Sequence, residues 1–234
     1  MHEIEVPVGL VGAAAVYAGL VIVARRHDAG AVPLRIQWSF FAGIGVLAAA
    51  LTGPLDARAH RGFAPHMVQH LLIISVAAPL LAAGRPDRIA RSAVGLNPAT
   101  APSVSRIATA ALLQVVVLLS WHIPSVYETA ARNDVLHGLE HLTLLLTSIV
   151  LWSELLHSVG AVRGAGLIAL FLIGLPPMAF GVGLASAPNS WYSTYTLGDQ
   201  QLAGVYMWAY GGAAATVGAV LLFATWLLSE QVEA

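Results

Sequence analysis

The chain lacks cysteine altogether. That excludes disulfides, thiolate metal sites and thiol catalysis at once. It also lacks lysine, so all eleven basic residues are arginine. Alongside abundant alanine and glycine, this reads as the coding bias of a GC-rich bacterium. Charge is scarce: 10% of the 234 residues are charged and 58% are hydrophobic, where a soluble domain carries about 25% charged residues. With a mean hydropathy of +0.76, the composition is that of a polytopic membrane protein bathed in lipid. The formal net charge of -1 gives no ground for a nucleic-acid partner. No basic segment and no clear cleavage site precede the first apolar run, which follows Glu3 and Glu5, so that run reads as a retained span and not a removed signal peptide.

What is present is apolar length. Spanning a bilayer takes about 20 apolar residues, and seven stretches qualify: 6–24, 36–53, 64–83, 105–122, 135–157, 165–187 and 201–228. Pro, Gly and Arg punctuate the breaks, and only the link 85–104 is sizeable, with room for a short surface helix. No linker separates two domains, so the sequence predicts one all-α bundle of seven transmembrane helices over 1–234. Basic residues accumulate in cytoplasmic loops. Alternate loops hold Arg25, Arg26 and Arg35, then Arg85, Arg88, Arg91 and Arg106, then Arg163; the opposite set holds only Arg58, Arg61 and Arg132. This asymmetry predicts the N-terminus outside and the C-terminus cytoplasmic, in a bacterial inner membrane.

Polar side chains stand out inside such segments because they are costly there, and by default they mark function. His137-Gly138-Leu139-Glu140-His141 puts two imidazoles and a carboxylate on one helical face, since residues three and four apart are neighbours on a helix. His66-Met67-Val68-Gln69-His70 repeats the spacing. Both pairs fall near the outer ends of parallel spans, with His141 about 12 Å into its helix at 1.5 Å per residue. Asn133 and Asp134 resemble a helix cap just before that pair. The fourth span runs the other way and ends at Trp121-His122. Five histidines, His66, His70, His122, His137 and His141, are therefore predicted to meet around one metal ion. Glu140 is assigned to orient a ligand by accepting its second N–H, with Gln69 in a similar, weaker role. Asp199 is read either as a helix cap or as part of a metal route with Met207. Trp191, Tyr192, Tyr195, Tyr206, Trp208 and Tyr210 read as an interfacial aromatic belt. Glu154 and His157 read as interfacial at the inner side. Pro176-Pro177 predicts a kink in the sixth span.

Without thiolates, imidazoles suit Zn, Cu or Fe, and Met67, Met178 and Met207 tilt the choice toward copper. Two haems stacked across a bilayer would want histidines about 13 residues apart on a helix, and these are four apart. A single haem held between helices stays open. His137 to His141 also matches H-x-x-E-H, in which the glutamate of a zinc peptidase is the base. The second copy carries Gln69, which is no base, and a third carboxylate at that depth is missing. A seven-span zinc-dependent hydrolase of lipid or amide substrates, with three histidines and a water, is the better enzymatic alternative.

Taken together, His66-Met67-Val68-Gln69-His70-Leu71-Leu72, Trp121-His122-Ile123-Pro124 leading to Leu136-His137-Gly138-Leu139-Glu140-His141-Leu142, and Asp199-Gln200-Gln201-Leu202-Ala203-Gly204 through Met207-Trp208 resemble the caa3-type CtaG family over about 40–228. These are seven-span bacterial cytochrome c oxidase assembly factors, distinct from the single-span, cysteine-bearing copper chaperones that share the CtaG name. The stretch Leu151-Trp152-Ser153-Glu154 departs from the more aromatic ending of the family's fifth span. The resemblance implies a non-enzymatic role in oxidase assembly through copper for the binuclear centre. It implies as partner the oxidase subunit that carries that copper, in contact with membrane lipids, with a homo-oligomer left open.

Overall fold

The computed structural model describes residues 2–27, 32–97 and 100–233, and among them it is all-helical. Seven helices are long and apolar enough to cross a membrane: Glu5–Arg26, Leu34–Leu51, Phe63–Ala93, Val104–Trp121, Asp134–Leu156, Gly160–Ser186 and Leu197–Ala224. These match the seven predicted stretches to within a few residues at most ends, because hydropathy over about 20 residues is the dominant constraint on a spanning helix. In chain order the elements are α1 (His2–His27), α2 (Leu34–Leu51), α3 (Pro54–Ala59), α4 (Phe63–Leu72), a π turn (Ile73–Ala77), α5 (Ala78–Ala83), α6 (Pro86–Ala93), α7 (Val104–Trp121), α8 (Pro124–Ala130), α9 (Asp134–Leu156), α10 (Gly160–Ser186) and α11 (Leu197–Glu233). The short helix predicted in the 85–104 link is α6. The helix α10 continues unbroken through Pro176-Pro177.

The third span, made of α4, the π turn and α5, is the axis of the bundle. It packs against α2, α9 and α11, and half of it is buried, more than any other span. Its π turn has a local cause. Pro79 has no N–H and its ring crowds the carbonyl four residues back, so the chain widens by one residue and the Ala78 amide bonds Ile73 O. In that wider register the partner of the Ile74 carbonyl would be Pro79, which has no proton to give. The Trp152 indole fills the vacancy by donating to Ile74 O at 3.0 Å. This ties α9 to the third span half-way down the bundle.

Further contacts tie α9 to α7 and α11 to α10. Thr147 of α9 donates to the Gln114 side chain of α7 at 2.5 Å, and Arg106 of α7 pairs with the buried Glu154 of α9. Glu154 thus serves as an internal tie between α7 and α9 near an end of both helices. Between α10 and α11 the backbones touch at Gly181 and Gly204. A Cβ on Gly204 would lie 2.5 Å from the Gly181 carbonyl oxygen. Only glycine permits that approach, the usual device by which helices associate in lipid.

Candidate metal centre

The helix ends at the site are fixed by particular groups. The α4 helix starts after Gly62, in extended backbone with no side-chain cap of its own. Asp199, in the first turn of α11, supplies one: its carboxylate oxygens accept from Phe63 N at 2.6 Å and Ala64 N at 3.1 Å. Asp199 is therefore a cap acting across the bundle, on the helix that carries His66 and His70. The α9 helix carries its own cap, as the sequence indicated, with Asn133 Oδ1 accepting from Val135 N and Leu136 N at 3.0 and 3.1 Å. His122 is the residue that ends α7.

With these ends fixed, four imidazoles and one carboxylate converge. His66 Nε2 and His70 Nε2 are 2.8 Å apart. The Glu140 carboxylate lies 3.8 Å from His66 Nε2 and 3.4 Å from His70 Nε2. The His137 ring is centred 5.0 Å from that of His66, and the His141 ring 5.3 Å from that of His70. Two overlapping sets, His66, His70 and His141, and His66, His137 and Glu140, have donor atoms within 4.8 Å of one another. All five side chains are buried. Both Glu140 oxygens lie out of solvent, and neither accepts a hydrogen bond from a described residue. A carboxylate in that condition is expensive unless a cation shares its space. Four imidazoles with one such carboxylate suit a cation held by nitrogen and oxygen donors, so the residues fit a transition metal.

His122 is adjacent to this cluster and turned from it. Its ring is 5.6 Å from that of His70, and its Nε2 lies 3.3 Å from Met67 Sδ. Met67 and Met207 are buried in one apolar cluster with Phe63, Tyr127 and Tyr192. Gln69 points the other way, donating to the Ala50 carbonyl at 2.8 Å and to Asp56 Oδ1 at 3.0 Å. Its hydrogen bonds anchor α2 and α3, and none of them reaches a cluster histidine.

Three residues at the site were not expected from the sequence. His60, at the end of α3, is 43% exposed on its side chain, and its ring lies 5.4 Å from that of His137. Its Nδ1 sits 2.9 Å from the Asp56 carbonyl. The i, i+4 pair Asp56 and His60, six residues before His66, was the available hint. Tyr127 stacks edge-on to His66 with centroids 5.3 Å apart. Tyr192, read as part of an interfacial belt, is fully buried and donates to the His122 carbonyl at 2.6 Å. Trp191 and Trp208 remain about half exposed, as a belt requires, while the side chain of Tyr210 lies outside the described residues.

The α8 helix and the link 187–196 form a cover over this end of the bundle. Glu128 accepts from the Ser193 hydroxyl at 2.8 Å and amide at 2.5 Å. Those bonds, with Arg132 beside them, hold its carboxyl below the ordinary glutamate range. Burial pushes the Tyr192 and Tyr195 phenols up, so both remain neutral donors.

Two cavities flank the cluster. One, of about 160 Å³, is bordered by Asp56, His137 and His141. The other, of about 120 Å³, is bordered by Met67, His70, His122, Met178 and Met207. Comparison with family models matches residues 15–229 to one described as cytochrome c oxidase caa3 assembly factor. Comparisons with curated proteins and with solved structures find no match.

Proposed function

This chain belongs to the cytochrome c oxidase caa3 assembly factor family, and from that premise we propose that it carries copper to the oxidase, holding it at the buried histidine cluster. One observation carries the reading: His66 and His70 of one span meet His137, Glu140 and His141 of another in two overlapping sets of three, His66 with His70 and His141 and His66 with His137 and Glu140, whose donor atoms lie within 4.8 Å of one another. Neutral imidazoles with one carboxylate accommodate a copper ion without stranding several anions in the bilayer. Glu140 sits among the imidazoles and balances the ion's charge. Because cargo must leave, the site is adjustable and of moderate affinity. The side chain of His60, part-exposed beside His137, supports a path by which copper reaches the cluster from the aqueous side. Eight arginines lie in or beside the links of the opposite end, which supports an extracytoplasmic cluster in a bacterial membrane. The recipient is the oxidase subunit that bears the copper centre.

The test is copper content by elemental analysis of full-length wild type beside His70→Ala and His141→Ala, purified after growth in copper. Wild type carries copper and both variants carry less of it. Full copper in both variants refutes the ligand assignment. Wild type carrying zinc in its place, with hydrolysis of a lipid or amide substrate abolished by Glu140→Gln, would move the chain to the hydrolase class, for which the set His66, His137 and Glu140 is the supporting geometry.

A further inference from the structure

We propose that Met67 and His122, with the cavity they border, form a second metal station beside the cluster, one that takes Cu(I). The proposal deepens the copper reading above and rests on it. His122 Nδ1 lies 2.7 Å from the Leu118 carbonyl oxygen. A carbonyl only accepts, so Nδ1 bears the proton and donates. In the neutral imidazole, Nε2 then presents a lone pair, and what it faces at 3.3 Å is the thioether sulfur of Met67. The thioether is an acceptor with no proton of its own. Two lone pairs are thus opposed across a short gap between side chains that are each 1% exposed.

A soft cation between them satisfies both. With bonds of about 2.0 Å to nitrogen and about 2.3 Å to sulfur, as in zinc sites, donors 3.3 Å apart subtend an angle of about 100° at the ion. That is close to the angles of tetrahedral coordination. Further donors are at hand. Met178 and Met207 border the same cavity of about 120 Å³, so every methionine after Met1 faces one space. Methionine alone is commonly a gap-filler. Three of them around two imidazoles, on four different helices, make a donor set. Thioethers with imidazole select Cu(I) over the harder divalent ions.

The two stations share His70, which borders the methionine cavity while its Nε2 faces His66 and Glu140. Its Nδ1 is buried and makes no hydrogen bond to a described residue. The α4 helix thus offers imidazoles toward α9 and a thioether toward the end of α7, the thioether about 100° from His66 and about 60° from His70 around its axis. Copper passes between the stations by ligand exchange through His70. It stays cuprous throughout, and no electron is moved.

The experiment is anaerobic loading of full-length protein in detergent with Cu(I), supplied as its acetonitrile complex, read by elemental analysis and by X-ray absorption at the copper edge. Wild type loads two equivalents and shows a sulfur shell at about 2.3 Å. Met67→Leu, a nearly volume-conserving change, loads one equivalent and loses the sulfur shell. His141→Ala keeps the sulfur shell. A wild-type spectrum with nitrogen and oxygen neighbours only, or a Met67→Leu protein that loads like wild type, overturns the second station and leaves the copper reading standing. Wild type that loads no copper overturns both.

Discussion

Removing the Asp199 carboxylate separates a capping role from a metal role. Its two oxygens close the start of α4 by accepting from Phe63 N and Ala64 N, and α4 has no other side-chain cap. Losing a helix cap costs about 0.5–2 kcal/mol, and hydrogen bonds to a charged group sit at about 1.5–3 kcal/mol each. The Asp199 side chain is half-buried, which favours the upper part of the capping range, so Asp199→Ala is set at about 2 kcal/mol. Asp199→Asn keeps one acceptor and loses roughly half of that. In a chain of this length 2 kcal/mol lowers the melting temperature by about 4–8 °C. If copper binding requires the capped turn, affinity falls by up to about 30-fold, at 1.4 kcal/mol per decade. The assay is thermal unfolding of metal-free protein in detergent, paired with Cu(I) competition against a chromogenic chelator. Unchanged melting and unchanged affinity in Asp199→Ala refute the reasoning. Lost affinity with unchanged metal-free melting would make Asp199 a ligand and not a cap.

Two further predictions follow from contacts away from the ligands. Trp152→Phe keeps the ring and strips the donor from the Ile74 carbonyl, which should cost about 1–3 kcal/mol for the unsatisfied acceptor; a melting temperature equal to wild type's would refute the role given to the indole. Glu128 is held below its ordinary range by Ser193, so its ionised form stabilises the cover. That contribution is complete above the ordinary glutamate range and disappears only as pH falls through the lowered folded value. Hydrogen exchange at the Ser193 amide should therefore stay slow through neutral and mildly acid pH and quicken below the ordinary range. In Glu128→Gln it should be fast at every pH, and slow exchange there would refute the assignment.

The spans and the paired histidines were legible in the sequence because both depend on local regularities. Hydropathy over one helix length marks a span, and a four-residue spacing puts His66 with His70 and His137 with His141 on one face whatever the tertiary structure does. The Asn133 cap was legible for the same reason. Asp199 was ambiguous because its partners lie 136 and 135 residues away, and a capping acid in one helix looks the same whether it serves its own helix or another. Gln69 was misread because its neighbours in sequence are ligands, whereas its own face of α4 turns to Ala50 and Asp56. Tyr192 sits in a run of aromatics of which Trp191 is exposed; only packing reveals which member turns inward. His60 escaped because α3 is a single short helix with no pattern long enough to place it.

The widened turn at Ile73–Ala77 means the third span cannot be drawn as one helical wheel. One added residue offsets everything above it by about 100° relative to an uninterrupted α-helix. The half bearing the imidazoles, α4, is thus clocked independently of the other half, α5. A single-codon deletion inside that turn would preserve hydropathy, length class and every ligand, yet it would swing the ligand-bearing face toward another neighbour. Relatives that carry all the histidines should for that reason be compared first on the spacing between His70 and Pro79, ahead of their overall identity.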